Sequence, residues 1–304
     1  MSQFNYRSYL GAVLTFMGAI CFSAKAVMVK LAYTYQVDTL SLLTLRMLIS
    51  LPFFAGIAIY SNRKNPGTNL TVKDWLMVVI LGVTGYYLAS LFDFEGLRFI
   101  SAGLERLILF VYPTLVVVLS AIFFKKKIGG KEYLALSLTY IGIAVVFLGD
   151  LNLHQKDLWL GAGLIFGSAF TYAVYLMGSG ELIPKLGSMR YTSYAMIVST
   201  AAVCIHYVCS SEIKLFSFSR EVYILSTVMA VFSTVIPAML LSEGIRMIGS
   251  GRASIIGSVG PVSTILLAYI FLGEDISFIQ IIGTILVLAG VLTVSRSKTA
   301  SAKK

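Results

Sequence analysis

Apolar residues run along this chain in stretches of roughly twenty, the length that spans a bilayer core. Short polar clusters such as "SNRKN" at Ser61 and "KKKIGGKE" at Lys125 separate them. The runs are continuous and lack the two-residue alternation of a transmembrane β-strand. Ten of them occur, at about 9–31, 39–60, 74–94, 101–124, 132–149, 158–178, 190–209, 220–242, 252–272 and 277–295. The pattern predicts an all-α integral membrane protein with ten transmembrane helices. Proline falls inside the second, fourth, eighth and ninth runs, at Pro52, Pro113, Pro237 and Pro261. Neighbouring helices can satisfy the carbonyls that proline frees.

Composition agrees. With 58% hydrophobic and 12% charged residues, and a mean hydropathy of +0.87, too little polar surface remains to clothe a soluble particle. The net charge of +10 would suit nucleic acid, but in a membrane protein it orients the chain. With the N-terminus inside, cytoplasmic segments hold 16 Lys and Arg and the opposite side 5. That bias predicts cytoplasmic termini and no nucleic-acid partner. Cys21, Cys204 and Cys209 all lie in apolar runs, and His154 and His206 are isolated. Neither a disulfide framework nor a metal or cofactor site is expected. "MSQFNYR" with the following apolar run and "SAKA" resembles a cleavable signal peptide. The same segment recurs inside the chain, so it is expected to be a retained span.

That recurrence is the strongest signal. "EGLRFISAG" at Glu95 returns as "EGIRMIGSG" at Glu243, 148 positions on, and the match continues without a gap to Ile128 and Ile276. It aligns Gly96 with Gly244, Arg98 with Arg246, Gly103 with Gly251 and Pro113 with Pro261. Upstream, "LGAVLTFMGA" at Leu10 matches "LGAGLIFGSA" at Leu160. The chain therefore reads as two five-helix halves, 1–153 and 154–304. Five is odd, so the second half enters the membrane upside down. Such inverted repeats are the architecture of alternating-access carriers.

With these motifs the chain resembles the EamA-type carriers of the drug/metabolite transporter superfamily. The resemblance rests on "LRMLIS" with Arg46, "EGLRFISAGLERLILFVYP" with Pro113, "EGIRMIGSGRASIIGSVGP" with Pro261, and "FLGEDI" with Glu274. It implies an inner-membrane carrier, often an exporter of amino acids or related metabolites, with a central site between the halves. Two features depart from the family pattern. Lys126 stands where an acidic residue is usual after span four, and Glu105 and Arg106 stand where small apolar residues are usual.

A charged side chain near the bilayer centre costs about 2.5–3.5 kcal/mol on insertion scales, so it faces a cavity or a partner. Lys25, Arg46, Asp93, Glu105 and Arg106 all fall in the outer part of the membrane and can meet in one layer. Their counterparts Tyr175, Met196, Leu241, Ala253 and Ser254 are uncharged, so the layer belongs to one half. One reading is that these groups only pair with each other. The other is that Lys25, Arg46 or Arg106 meets a substrate carboxylate or phosphate while Asp93 or Glu105 takes up a proton. Tyr86, Tyr112 and Tyr175 lie in aromatic-rich stretches, suited to packing or to lining an amphipathic site. The duplicated corners, Glu95 with Arg98 and Glu243 with Arg246, read as ion pairs that cap a connection or act in gating, beside Pro113 and Pro261. Gly163 and Gly167, four residues apart, suggest close helix packing.

No G-x-x-x-x-G-K-[ST] motif is present, so nucleotide hydrolysis does not power transport. The expected function is secondary transport, by a monomer or homodimer, of amino acids or related metabolites, with proton coupling in view. A carrier of phosphorylated or nucleotide-linked metabolites is the second reading. A channel and a membrane-embedded transferase are the alternatives from other classes.

Overall fold

In hydrocarbon an unpartnered backbone N–H or C=O costs several kcal/mol, so each segment must close its own hydrogen bonds. The computed structural model describes residues 3–64, 70–124, 130–149, 157–210, 215–248, 256–257 and 259–301. These residues meet the demand with helices, and no strand occurs among them. In chain order the helices are α1 (Gln3–Tyr33), α2 (Thr39–Lys64), α3 (Val72–Gly82), α4 (Ala89–Gly96), α5 (Ala102–Leu109), α6 (Tyr112–Phe124) and α7 (Gly130–Gly149). They continue with α8 (Leu158–Leu186), α9 (Ser188–Ser210), α10 (Arg220–Ala230), α11 (Ile236–Ile248), α12 (Val259–Leu272) and α13 (Phe278–Ser301). Among the described residues, six helical stretches are long and apolar enough to cross a membrane: Tyr9–Tyr33, Thr39–Lys64, Val72–Gly96, Leu158–Ser179, Ser188–Ser210 and Arg220–Ile248.

Span four differs from its expected single helix. It breaks at Phe110 and Val111 into α5 and α6. Pro113 has no N–H to give the carbonyl of Leu109, and the α5 ladder ends there. The α3–α4 and α10–α11 stretches stay continuous through π-helical segments, Val83–Leu88 and Val231–Val235. These two segments start 148 positions apart, the offset of the sequence repeat. Residues 249–255 and 258, which carry the end of the second corner and the start of span nine, lie outside the described residues.

The packing follows an exchange of partners. α1 lies against α11 and α12, whereas α8 lies against α4 and α6. α2 packs on α10 and α9 packs on α3, while α2 also meets α9 and α7 meets α13. Small residues make the closest crossings. A Cβ on Gly11 would stand 2.7 Å from side-chain atoms of both Met247 and Ile248. A Cβ on Gly161 would stand 2.8 Å from Phe99 and 2.7 Å from Ile100. Met247 and Ile248 are the repeat counterparts of Phe99 and Ile100, so the two crossings are built alike. Gly161 is a closely packed glycine of α8. Gly163 has nothing within 4 Å, because two residues of helix turn it to the opposite face. Gly167 makes ordinary contact with Phe92.

The polarity of the bundle suits lipid. Large apolar side chains such as Trp159, Ile205, Ile270 and Phe278 cover its outside, while Ser23, Ser50, Ser199, Ser226 and Ser233 are buried. Buried hydroxyls bond across helices, as in Ser168 Oγ to the Ala89 carbonyl at 2.7 Å and Ser233 Oγ to the Cys21 carbonyl at 3.1 Å. Close packing and such bonds drive helix association in lipid, where burial of apolar surface does not.

Candidate functional site: a buried charge cluster and a tyrosine column

The position of α5 determines the site. Its N-terminus is capped twice: Ser101 Oγ accepts from Leu104 N at 3.1 Å. Glu274, from the link between α12 and α13, accepts from Ala102 N at 3.0 Å and Gly103 N at 3.3 Å. Three of the four N–H groups that a helix start leaves unpaired are thereby satisfied, and a carboxylate suits that end of the helix dipole. Lys30 Nζ of α1 stands 4.0 Å from Glu274 Oε1. α5 is thus held against α1 and the α12–α13 link.

So held, α5 presents Glu105 to Asp93 of α4. Both carboxyls are buried, and none of their four oxygens has a hydrogen-bond partner. Lys25 Nζ of α1 lies 2.5 Å from Asp93 Oδ2, with the Asp93 side chain 1% exposed. Arg46 of α2 is also buried. It donates to Ser90 Oγ at 3.0 Å, and its guanidinium carbon lies 4.8 Å from the centre of the Phe94 ring. Arg106 acts electrostatically on both carboxyls, and its Nε is buried without a hydrogen bond. The five charges nominated from sequence therefore come together from four helices.

Aromatic rings continue from the charges. Tyr112 meets Tyr172 edge-on at 5.2 Å, Tyr172 stacks on Tyr175 at 5.8 Å, and Tyr175 stacks on Tyr191 at 5.9 Å. Tyr86 joins from the π-helical segment: its ring is 5.0 Å from Tyr175, and the two hydroxyls lie 3.3 Å apart. Gly85 makes this possible, because a Cβ there would run into the Tyr175 ring. The column ends where Tyr191 meets Ser179 at 2.9 Å. Close by, Lys185 Nζ bonds Asp74 Oδ1 at 2.7 Å, and Asp74 also closes a capping box with Thr71.

The corners stand apart from this site. Arg98 reaches Glu95 at 3.3 Å with the arginine half-exposed, and Arg246 pairs with Glu243 in the same i,i+3 arrangement. Neither pair touches the cluster. An exposed pair of this kind is worth about 0–1 kcal/mol. Arg98→Ala should therefore shift unfolding in detergent by no more than that, and a larger loss would give the corner a bigger structural role. Pro261 is buried within α12. The Pro113 side chain lies outside the described residues.

Several contributors escaped sequence reasoning. Glu274 works on backbone N–H groups roughly 170 positions away, and no pattern of side chains announces that. Tyr191 and Gly85 matter only because π-helical and interhelical geometry brings them to Tyr175. His206, isolated in sequence, has a partner: its Nδ1 lies 2.8 Å from the Tyr87 hydroxyl. No cluster of metal-ligating side chains occurs among the described residues.

A lipid-suited helical bundle with buried charges at its heart defines a polytopic membrane transporter. The chain belongs to the EamA-like transporter family, whose model matches residues 9–148 and 159–296. It is 31% identical over 278 residues to the uncharacterized transporter YcbK of Bacillus subtilis, covering 90% of this chain and 88% of that protein. The uncharacterized transporter sll1319 of Synechocystis is 26% identical over 95% of this chain and 94% of its own. One solved crystal structure shares the fold with a TM-score of 0.66 at 15% identity, covering 93% of this chain and 95% of that one.

Proposed function

We propose that this protein is a secondary carrier of small metabolites that bear an acidic group, amino acids and their relatives among them. It works by alternating access between two inverted five-helix repeats, residues 1–153 and 154–304. The chain crosses the cytoplasmic (inner) membrane ten times with both termini inside, and the direction of transport is export. The observation that carries the reading is the exchange of helix partners. α1 packs on the second half's α11 and α12 as α8 packs on the first half's α4 and α6. The matched glycine crossings and the π-helical segments at one offset support it, as do the two stretches matched by the family model. Two such halves can trade conformations and expose one site to either side in turn.

Lys25, Arg46 and Arg106 supply positive charge for a substrate carboxylate. Asp93 and Glu105 hold the proton that couples transport to a gradient, and Tyr86, Tyr112 and Tyr175 line the route. Phosphorylated or nucleotide-linked metabolites are a second reading, favoured by three cations in one cluster. Purified protein in proteoliposomes, given labelled solutes under an imposed substrate or proton gradient, tests the proposal. Saturable uptake that depends on Arg106 and Asp93 is expected. If neither solute nor protons move across a broad metabolite panel, the carrier reading fails. Conductance steps in a planar bilayer would replace it with a channel.

A further inference from the structure

We infer, on the carrier reading and topology proposed above, that Glu274 is the latch of an outer gate. Its carboxylate holds the start of α5 against the second half and closes the charge cluster to the outside.

The exchange of partners sorts the helices into two groups. α1, α11 and α12 form one, and α4, α6 and α8 form the other. α5 lies where they meet, packed on α8 of one group and on α12 and α1 of the other. Alternating access requires one group to move against the other. Three polar ties between the groups lie together at one end. Lys25 of α1 reaches Asp93 of α4, and the Tyr33 hydroxyl of α1 donates to the Phe94 carbonyl at 2.8 Å. Glu274 supplies the third, on Ala102 N and Gly103 N. In the proposed topology that end faces outward. The bonds from Ser23 to Gly260, Ser233 to Cys21 and Ser168 to Ala89 run within a group, so relative movement leaves them intact.

Of the three ties, the one at Glu274 is built to let go. The Asp93 side chain is only 1% exposed, whereas that of Glu274 is 22% exposed. Water can therefore take over both the carboxylate and the freed N–H groups, which keeps the net cost of release small. The latch is also aimed. Gly273, at φ 65°, ends α12 in the left-handed conformation that glycine tolerates, and Glu274 N returns to the Ala268 carbonyl at 3.3 Å. The seat is close-fitting. Ala102 is fully buried, and a Cβ on Gly103 would stand 3.1 Å from Gln280 Nε2 and 3.6 Å from Ile265.

The repeat does not duplicate this latch. Lys126 occupies the equivalent position, 148 residues before Glu274, and an ammonium cannot accept from a backbone N–H. Tyr175 and Leu241 stand at the positions equivalent to Lys25 and Asp93. The two faces of the carrier therefore close by different chemistry.

Thiol accessibility tests the latch without needing a transported substrate. In the full-length chain with Cys21, Cys204 and Cys209 replaced by Ser, Ala102→Cys places a reporter under the seat. In a second such chain Ser90→Cys places one beside Arg46. A membrane-impermeant charged maleimide is applied to the outside of intact cells, and to inside-out vesicles for the cytoplasmic face. Both thiols should react slowly from outside while Glu274 is present. Glu274→Ala should speed both by about tenfold, the equilibrium equivalent of one charge-assisted hydrogen bond. Glu274→Gln, whose amide oxygen still accepts but carries no charge, should fall between. It carries the test if Glu274→Ala does not elute as a monodisperse species. Faster reaction at Ala102→Cys alone means that the end of α5 frays without a gate opening, and it overturns the inference. So do rates that stay within about twofold of the starting chain in both Glu274 variants, and so do reporters reached only from the cytoplasmic face. Uptake in proteoliposomes decides the carrier reading separately, whichever of these results is found.

Discussion

Removing Asp93 alone is expected to destabilise the protein by about 3 kcal/mol, the lower end of the 3–5 kcal/mol range for breaking a buried ion pair. Asp93→Ala strands Lys25, whose Nζ otherwise lies 2.5 Å from the carboxylate. It also removes the group that Glu105 faces and adds an uncompensated charge beside Arg46 and Arg106. The loss falls at the low end because the unfolded chain in a membrane or micelle also finds partners for its polar groups. Replacing both members, Lys25→Met with Asp93→Leu, should recover most of the loss, since two apolar side chains leave no orphaned charge. A double-mutant cycle by denaturant unfolding in mixed micelles measures the coupling, expected between about 1 and 3 kcal/mol. If Asp93→Ala unfolds within about 0.5 kcal/mol of wild type, or the double variant is no better than the single ones, the pair is not the structural tie described. Transport separates structure from function: the double variant should fold and still carry nothing, if the cluster is the substrate site.

The second large effect is expected at the two glycine crossings. Gly11→Leu and Gly161→Leu should each cost about 1–3 kcal/mol, the usual range for overpacking. A first side-chain carbon at either position already meets atoms at about 2.7 Å, and the obstacle includes a Cβ at both sites, that of Met247 in α11 and that of Phe99 in the turn after α4. Neither obstacle can be relieved by rotating a flexible tip. Gly163→Leu is the internal control, two residues from Gly161 with nothing within 4 Å, and it should stay within about 0.5 kcal/mol of wild type. The two crossings share the same construction in the two halves, so their losses should agree to within a factor of about two. A severe effect at one and none at the other would count against the repeat as the organising symmetry.

Much of the site was legible in the sequence because charge in a greasy chain is conspicuous. Lys25, Arg46, Asp93, Glu105 and Arg106 stood out by type alone, and span directions put them at one depth. Their depth said nothing of which pairs form. That depends on the rotation of each helix about its axis, and rotation was also what misdirected the reading of Gly163 in place of Gly161. The helical class and membrane placement were legible from run length, whereas the break at Phe110 depends on how α5 and α6 settle after Pro113. Glu274 was visible as a motif and opaque as a part. Its partners are backbone N–H groups at the start of another helix, and backbone groups leave no mark in a sequence.

The π-helical segments have a consequence for angular phase. An α-helix turns about 100° per residue, and a widened turn takes in an additional residue before the α-ladder resumes. After Val83–Leu88, the face that α4 turns inward therefore no longer continues the face that α3 turned inward. Asp93 owes its inward direction to this lag. Inserting one further residue upstream, with no second widened turn to absorb it, would leave every side chain of α4 chemically unchanged, yet would rotate Asp93 away from Lys25 by about a quarter turn or more. The charge cluster is thus set by a count of residues upstream as much as by the identity of its members.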